Sequence, residues 1–211
     1  MSNFWDTKWT KDYGAFHKKY YIASGLLNDN DIKKDLLDIG SGNGNFFDLI
    51  SEHRFKKENL YVNDLSNKAL QICKEKGYTV VENIYEDKKK YDVIIMIDIL
   101  EHIENPYDFL NNLKSRTKEF IIVVPNFNSY KQRIEVLQGK IPFQNKIQRG
   151  GHILWVNHNF LSDLFEKLGL EIMDSYHLYS KSKNKASILY KLQNNFPNLF
   201  ANSFGFRLKV K

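Results

Sequence analysis

The glycine-rich segment Asp38-Ile39-Gly40-Ser41-Gly42-Asn43-Gly44 constrains the fold of this chain more than any other feature. It follows a short apolar run and precedes a segment whose apolar residues recur at helical spacing. Glycine allows the backbone to turn tightly and to approach a ligand closely. A strand, a glycine-rich turn and a helix in this order are typical of a parallel α/β sheet, in which ligands bind beyond the carboxyl ends of the strands.

The rest of the chain continues this alternation of strand and helix. Apolar runs predict strands at 36–39, 60–62, 79–81, 93–97, 120–124, 172–179 and 204–210. Residues 4–27 are rich in aromatic side chains and are predicted to be helical. With 211 residues, we expect one domain over 1–211, which contains an N-terminal helical lid (1–30) and a substrate-binding insertion (126–158).

The residues around the glycine turn discriminate between nucleotide ligands. A dinucleotide fingerprint requires glycine where Asn45 stands, and the Gly-Lys-Ser/Thr of a Walker loop is missing. Asp38 would repel a pyrophosphate but suits an ammonium group. Asp64, which follows the second predicted strand, can accept hydrogen bonds from a ribose diol. Together these features favour S-adenosylmethionine (SAM); the alternative is that both acids only cap or turn the chain.

The motif 37–44 and the later segment from Tyr91-Asp92-Val93 to Asp98-Ile99-Leu100-Glu101-His102 resemble the class I SAM-dependent methyltransferases over essentially the whole chain. The resemblance implies an α/β, Rossmann-like seven-stranded mostly parallel sheet with an antiparallel last strand, helices on both faces and an N-terminal helical lid. It also implies that S-adenosylhomocysteine (SAH) is the product. The residues that would contact the cofactor are Trp9, Tyr13, Asp38, Gly40, Ser41, Gly42, Gly44, Asn45, Asp64, Leu65, Asn83, Ile84 and Asp98.

Different segments of this chain resemble two branches of this family. Residues 125–172, with Pro125-Asn126-Phe127 and Gly139-Lys140-Ile141-Pro142, resemble the MetW-like branch, which is associated with methionine biosynthesis. The segment 98–102 instead resembles small-molecule O-methyltransferases, and the aromatic opening resembles their N-terminal lid. A small-molecule methyltransferase, with oxygen favoured as the acceptor atom, and a non-catalytic MetW-like regulatory partner therefore both remain open.

Three residues are candidates for catalysis. Asp98 ends the fourth predicted strand, where it could contact either SAM or the substrate, and His102 is a candidate base one turn later. His152, beside Gly150-Gly151 in the insertion, is a candidate substrate or catalytic residue. A packed structural role is the alternative for His102. We expect no metal, because no cysteine or acid cluster accompanies His152 and His158.

The net charge of +6 is unevenly distributed along the chain. Residues 1–125 carry a net charge of −2, whereas 126–158 carry +4 and 181–211 carry +7. We expect both basic segments at the mouth of the site, where positive potential attracts an anionic substrate. Such a substrate could be a phosphorylated metabolite, a phosphate-like group or a nucleotide-linked sugar, as in surface-polysaccharide biosynthesis. The codon bias of an AT-rich genome is the alternative explanation. The predicted substrate-binding residues are Arg133, Lys140, Arg149 and His152.

Several other classes of protein are disfavoured. No apolar run reaches 18 residues, so no membrane span is expected, and the first residues lack an apolar signal core, which predicts a cytoplasmic protein. The single cysteine, Cys73, cannot form an internal disulfide and is expected in the core. An RNA methyltransferase is less favoured, because the Asn/Asp-Pro-Pro-aromatic motif of base-amino methylation is missing. We expect no nucleic-acid partner and a monomer or homodimer.

Overall fold

A computed structural model of the chain describes residues 18–52, 54–142, 151–179 and 195–211. The strands are β1 (Leu36–Ile39), β2 (Leu60–Asn63), β3 (Thr79–Val80), β4 (Tyr91–Ile97), β5 (Thr117–Pro125), β6 (Leu170–Tyr179) and β7 (Ala201–Val210). The helices in these ranges are α1 (Lys18–Leu26), α2 (Asn45–Ser51), α3 (Asn67–Glu75), α4 (Pro106–Lys114), α5 (Tyr130–Leu137), α6 (His158–Lys167) and α7 (Pro197–Phe200).

The seven strands form one sheet in the order β3-β2-β1-β4-β5-β7-β6. Strands β1 to β5 pair in parallel, and β7 lies antiparallel between β5 and β6. Because β6 is also antiparallel to β7, it runs in the same direction as the first five strands. The predicted Rossmann-like, mostly parallel sheet with an antiparallel last strand is therefore confirmed.

Helices cover both faces of the sheet, as β4 illustrates. Val93 and Ile95 pack into a core formed with α1, α2 and α3, whereas Ile94 and Met96 pack into a second core with α4 and α6. All four side chains are fully buried. Burying one such side chain contributes about 1.5–3 kcal/mol to folding, which explains why a continuous apolar run forms the central strand.

The ends of several elements differ from the predictions. Strand β4 begins at Tyr91, because Tyr91 still pairs with Thr117 of β5, and β3 ends at Val80. Of the predicted helix over 4–27, the structure describes only α1; residues 1–17 lie outside the described ranges. Among the described residues, no helix has the length and apolar character required to cross a bilayer.

Most of the charge of the basic segment 181–211, which was expected at the mouth of the site, falls on Lys181, Lys183, Lys185 and Lys191, none of which is among the described residues. The other basic residues of this segment, Arg207, Lys209 and Lys211, lie at the end of the sheet opposite to the glycine turn. The reason is that β7 is antiparallel, so that Lys209 pairs with Glu119 near the start of β5. Residues 181–194 lie outside the described ranges.

Arg207 instead has a structural role. Its Nη1 and Nη2 atoms donate to the two carboxylate oxygens of Asp31 at 2.7 and 2.9 Å, and Nε donates to Glu119 Oε2 at 2.6 Å. Both Arg207 and Asp31 are buried. This ion pair connects the last strand to the segment that follows α1.

Candidate active site

The glycine turn closes over the end of β1 in a conformation that requires glycine. Gly40, Gly42 and Gly44 have φ values of +73°, +53° and +76°. The amides of Gly40 and Ser41 donate to the carbonyl oxygen of Asn63 at 2.7 and 3.1 Å. A Cβ atom on Gly40 would lie 2.0 Å from Ile99 Cδ1, so the segment after β4 packs directly on the turn.

Asp64 ties the end of β2 to the same turn. Its Oδ2 accepts a hydrogen bond from the Gly42 amide at 2.8 Å, and its Oδ1 accepts one from the Ser66 amide, also at 2.8 Å. Asp64 is therefore beside the glycine turn, as expected for the residue predicted to hold a ribose.

Cys73 of α3 forms a hydrogen bond with the glycine turn. Its thiol donates to the carbonyl oxygen of Gly42, with 3.2 Å between sulfur and oxygen. Burial raises the pKa of this thiol to about 12, so it remains a protonated donor. The expectation of a buried core thiol is confirmed.

Asp38 is the most unusual ionisable group of the turn. Its side chain is buried, and desolvation followed by the charge of Asp64 raises its pKa well above the ordinary value. Nearby, the hydroxyl oxygen of Ser41 is buried and has no hydrogen-bond partner among the described residues. A ligand with an ammonium group and a hydrogen-bonding carboxylate would fit both features, because it would compensate the acid and satisfy the hydroxyl. The turn therefore fits the methionine end of SAM.

The other residues predicted to contact the cofactor, which include Asn83 and Ile84 near the adenine, lie in different surroundings. Leu65 is 68% exposed beyond β2, whereas Ile84 is buried in the core. Asn83 accepts a hydrogen bond from the Tyr85 amide at 3.0 Å, and Asn45 begins α2. The two lid residues Trp9 and Tyr13 lie outside the described residues.

Asp98 stands at the end of β4 in a left-handed conformation, with φ of +58°. Such a backbone is uncommon for a residue other than glycine, although aspartate adopts it more readily than most, and residues in this conformation cluster at functional sites. Its amide donates to the Val123 carbonyl oxygen at 2.8 Å, and its carboxylate forms an ion pair with Lys19 of α1. Asp98 therefore lies at the end of the sheet where the glycine turn also lies, as predicted.

Two residues of α1 join this site without having been predicted individually. Lys19 pairs with Asp98, and the pKa of Tyr20 is raised by burial and then by the charges of Asp38 and Asp98. Their only sequence signal is that they fall within the predicted lid segment 1–30. Helix α1 thus brings a cation and a phenol to the ends of β1 and β4.

Next to Asp98, a short 3₁₀ turn (Leu100–His102) places an acid between two histidines. Glu101 is fully buried, and burial followed by the charge of Asp98 raises the pKa of its carboxyl group. His152 Nε2 lies 3.9 Å from Glu101 Oε1, and the rings of His102 and His152 are 4.7 Å apart. The fold therefore unites the two predicted histidines, and it adds Glu101, whose role had not been predicted.

Backbone contacts bring the insertion to this turn. The amides of Ile153 and Leu154 donate to the carbonyl oxygen of Glu101 at 2.9 and 3.1 Å. The His152 ring packs edge-on against Phe127, with 5.2 Å between the ring centroids. The sequence argument against a metal was that no cysteine or acid cluster accompanies His152 and His158. In the fold His152 instead lies beside Glu101 and His102.

The predicted substrate-binding cations lie on the insertion. Arg133 Nε donates to the carbonyl oxygen of Asn128 at 2.9 Å, and Lys140 donates to Gln138 Oε1 at 2.8 Å. Both side chains are exposed, and so are the neighbouring apolar side chains of Leu137 (85%) and Ile141 (65%). Arg149 lies outside the described residues.

Comparison with known proteins places this geometry in context. The family profile described as a methyltransferase domain matches residues 17–175. The chain is 30% identical over 148 residues to the ubiquinone biosynthesis O-methyltransferase of Rickettsia typhi, with 59% of this chain and 57% of that protein covered. The enzyme of the same name from Rickettsia felis is 29% identical over 126 residues, which cover 52% of this chain and 51% of that protein. The chain thus spans a little over half the length of these curated relatives.

Solved structures share the fold. A SAM-dependent methyltransferase from Thermotoga maritima superimposes with a TM-score of 0.62 at 15% identity, with 92% of this chain and 87% of that chain covered. The magnesium protoporphyrin IX methyltransferase of Synechocystis, whose structure contains SAH, superimposes with a TM-score of 0.63 at 14% identity. The superposition covers 92% of this chain and 82% of that chain. At these identities the likeness concerns the fold alone.

Proposed function

We propose that this chain, which belongs to the methyltransferase domain family and is a SAM-dependent methyltransferase, methylates an oxygen of a small, anionic acceptor. SAM supplies an activated methyl group on a sulfonium. The chain's own residues must hold the acceptor in line with that methyl group, exclude water and remove the proton of a hydroxyl acceptor.

The observation that carries this proposal is the meeting of two groups of residues at one end of the sheet. Asp38 lies near the end of β1 and the glycine turn follows it, whereas Glu101 and His102 follow the neighbouring strand β4 and are joined there by His152. Ile99 packs on Gly40 between them. A cofactor held by the first group and a hydroxyl held by the second would therefore be adjacent, with Asp98 at their boundary.

Oxygen is favoured as the acceptor atom because proton-accepting side chains lie on the acceptor side. A general base that removes a hydroxyl proton typically accelerates such a reaction by about 10²–10⁴-fold. The relatives from Rickettsia are named as O-methyltransferases, which supports the same choice.

The acceptor's charge is inferred from Arg133 and Lys140, whose exposed side chains lie on the insertion. The apolar side chains of Leu137 and Ile141 alternate with them, so an acceptor with both an anionic group and an apolar part would suit this surface. A phosphorylated metabolite, a nucleotide-linked sugar or an acidic phenol each carries the required negative charge.

The experiment is methyl transfer from isotopically labelled SAM to a panel of acceptors. The panel contains hydroxybenzoates, sugar phosphates and nucleotide-linked sugars, each beside its analogue without the hydroxyl group. We expect label in one anionic class and none in its deoxy analogue. Absence of transfer to every member, together with capture of a stable protein partner by the purified chain, would favour the MetW-like regulatory alternative.

A further inference from the structure

We propose that Glu101, His102 and His152 bind a divalent transition-metal ion, such as Zn²⁺ or Mn²⁺, on the acceptor side of the site. Methyl transfer from SAM needs no metal in this family, so the ion would be an addition particular to the acceptor of this chain. Metal binding itself is independent of the proposed function, whereas its catalytic use rests on that function.

The three side chains form a compact set of ligands. One ligand atom from each residue lies within 4.8 Å of the others, and His152 Nε2 is 3.9 Å from Glu101 Oε1. A tetrahedral ion with metal–ligand bonds of about 2.1 Å separates its ligand atoms by about 3.4 Å. Side-chain movements of about an ångström would therefore bring the three ligand atoms to coordinating distance from an ion. Two histidines and one carboxylate are also a recurrent metal-binding set.

The buried carboxylate gives an independent reason to expect a cation. Glu101 is fully buried, and neither of its carboxylate oxygens has a hydrogen-bond partner among the described residues. Lys19, which forms an ion pair with Asp98, also contributes positive charge near this carboxyl group. A buried carboxylate without hydrogen bonds is strongly unfavourable unless it takes up a proton or a further positive charge compensates it. A divalent ion between Glu101 and the two imidazoles would supply that charge.

The orientation of His102 supports the same assignment. Its Nδ1 atom lies 3.2 Å from the carbonyl oxygen of Gly151, which can only accept a hydrogen bond. Nδ1 therefore carries the proton in that contact, and Nε2 becomes the nitrogen with the lone pair. Metal-binding histidines are commonly fixed by a hydrogen bond of this kind from the other ring nitrogen. The same carbonyl belongs to the residue before His152, so one backbone segment positions both imidazoles.

Three protein ligands leave coordination positions open for the oxygen of the acceptor. With the ion bound, these side chains would act as its ligands and not as the base: coordination would lower the pKa of the acceptor hydroxyl, which then releases its proton to solvent. The resulting oxyanion would attack the methyl carbon, and the carbon–sulfur bond would break with its electron pair remaining on sulfur. The products are the methyl ether and SAH, and no oxidant or reductant is consumed.

Titration of the metal-free protein with Co²⁺ tests the site, because Co²⁺ bound to nitrogen and oxygen ligands absorbs visible light. We expect one ion per chain and a visible band in the wild type. Glu101→Gln, His102→Gln and His152→Gln should each weaken binding by at least about 100-fold, since even outer partners of metal ligands typically cost 10–100-fold. His177→Gln, a change of a histidine outside the cluster, should bind Co²⁺ as the wild type does.

An SAH-induced rise in melting temperature serves as the folding control for every variant. Binding of Co²⁺ that is equal in the wild type and in a folded Glu101→Gln variant, or no binding in the wild type, would overturn the proposal. If Co²⁺ binds as expected but no hydroxyl acceptor is methylated, the metal site stands and the proposed function fails. If methylation proceeds unchanged after chelation and Co²⁺ does not bind, the proposed function stands and the metal site fails.

Discussion

The Gly42 amide donates a hydrogen bond of 2.8 Å to Asp64 Oδ2, so the acid that follows β2 is fixed to the turn that follows β1. The second oxygen of the same carboxylate accepts from the Ser66 amide at the start of α3. The positions predicted to bind the methionine and ribose parts of the cofactor are thereby held by one network of hydrogen bonds from backbone amides to the Asp64 carboxylate. Substitutions in this network should affect cofactor affinity more than general stability.

Gly40→Ala should abolish SAH binding and lower the free energy of unfolding by about 1–3 kcal/mol. The new Cβ would lie 2.0 Å from Ile99 Cδ1, in a residue whose φ is +73°. Denaturant unfolding and calorimetric titration with SAH measure the two effects. Gly25→Ala is the matched control, because nothing lies within 4 Å of its added Cβ and alanine favours helices. A Gly40→Ala variant with wild-type SAH affinity would contradict the close packing of the turn.

The affinity for SAM should fall as the pH is lowered, starting above the pH at which an ordinary aspartate titrates. The pKa of Asp38 is raised by burial and by Asp64, and a bound cation favours its ionised form. The affinity for SAM is therefore highest above the raised pKa that Asp38 has in the ligand-free protein, and it is lost as the pH falls through that pKa. Asp38→Asn should bind weakly and without this pH dependence. An identical pH profile in both proteins would exclude Asp38 as the group responsible.

Asp31→Asn should destabilise the fold by about 3–5 kcal/mol at neutral pH, since it leaves buried Arg207 with a partner removed. Burial alone would raise the pKa of Asp31, but hydrogen bonds from Arg207 and Lys34 outweigh burial and lower it. The contribution to stability is thus present above the unfolded-state pKa and is lost as the pH falls through the lower folded-state pKa. Urea unfolding between pH 2 and 7 should show a steeper acid loss in the wild type than in the variant. Parallel curves of stability against pH for the two proteins would contradict the assignment of this acid loss to Asp31.

Charge reversal of Arg133 and Lys140 to glutamate should raise KM for an anionic acceptor on the order of tenfold, with SAH affinity unchanged. Both residues are exposed on the insertion, and their side chains donate hydrogen bonds to neighbouring residues of the insertion. Lys88→Glu combined with Lys90→Glu changes the same net charge near the start of β4 and serves as the control. An equal rise of KM in both double variants would indicate a general charge effect rather than local recognition.

The sheet could be predicted because its determinants are local in sequence. A continuous apolar run such as 93–97, which stands between two aspartates, is typical of a strand buried on both faces, and the glycine turn marks the end of the first strand. The positions of Asp38 and Asp64 follow from these strand ends. The place of Arg207 could not be predicted from its charge, because the direction of the last strand decides which end of the sheet its charges occupy.

The cluster around Glu101 could not be read from the sequence in the same way. His152 is 50 residues from His102, and they meet because backbone amides of the insertion pair with the Glu101 carbonyl oxygen. Composition and periodicity do not encode such a contact. The adjacent acid and histidine at 101–102, together with a histidine after paired glycines, were the only available signals.

Calorimetric titration of SAH into the wild type and into Asp64→Ala tests the central claim, that the network around the glycine turn binds the cofactor. We expect one SAH per wild-type chain and no measurable binding by Asp64→Ala, while Asp163→Ala, an exposed carboxylate of α6, binds as the wild type does. A wild-type chain that binds no SAH, or an Asp64→Ala variant that retains full affinity, would contradict the assignment of this site.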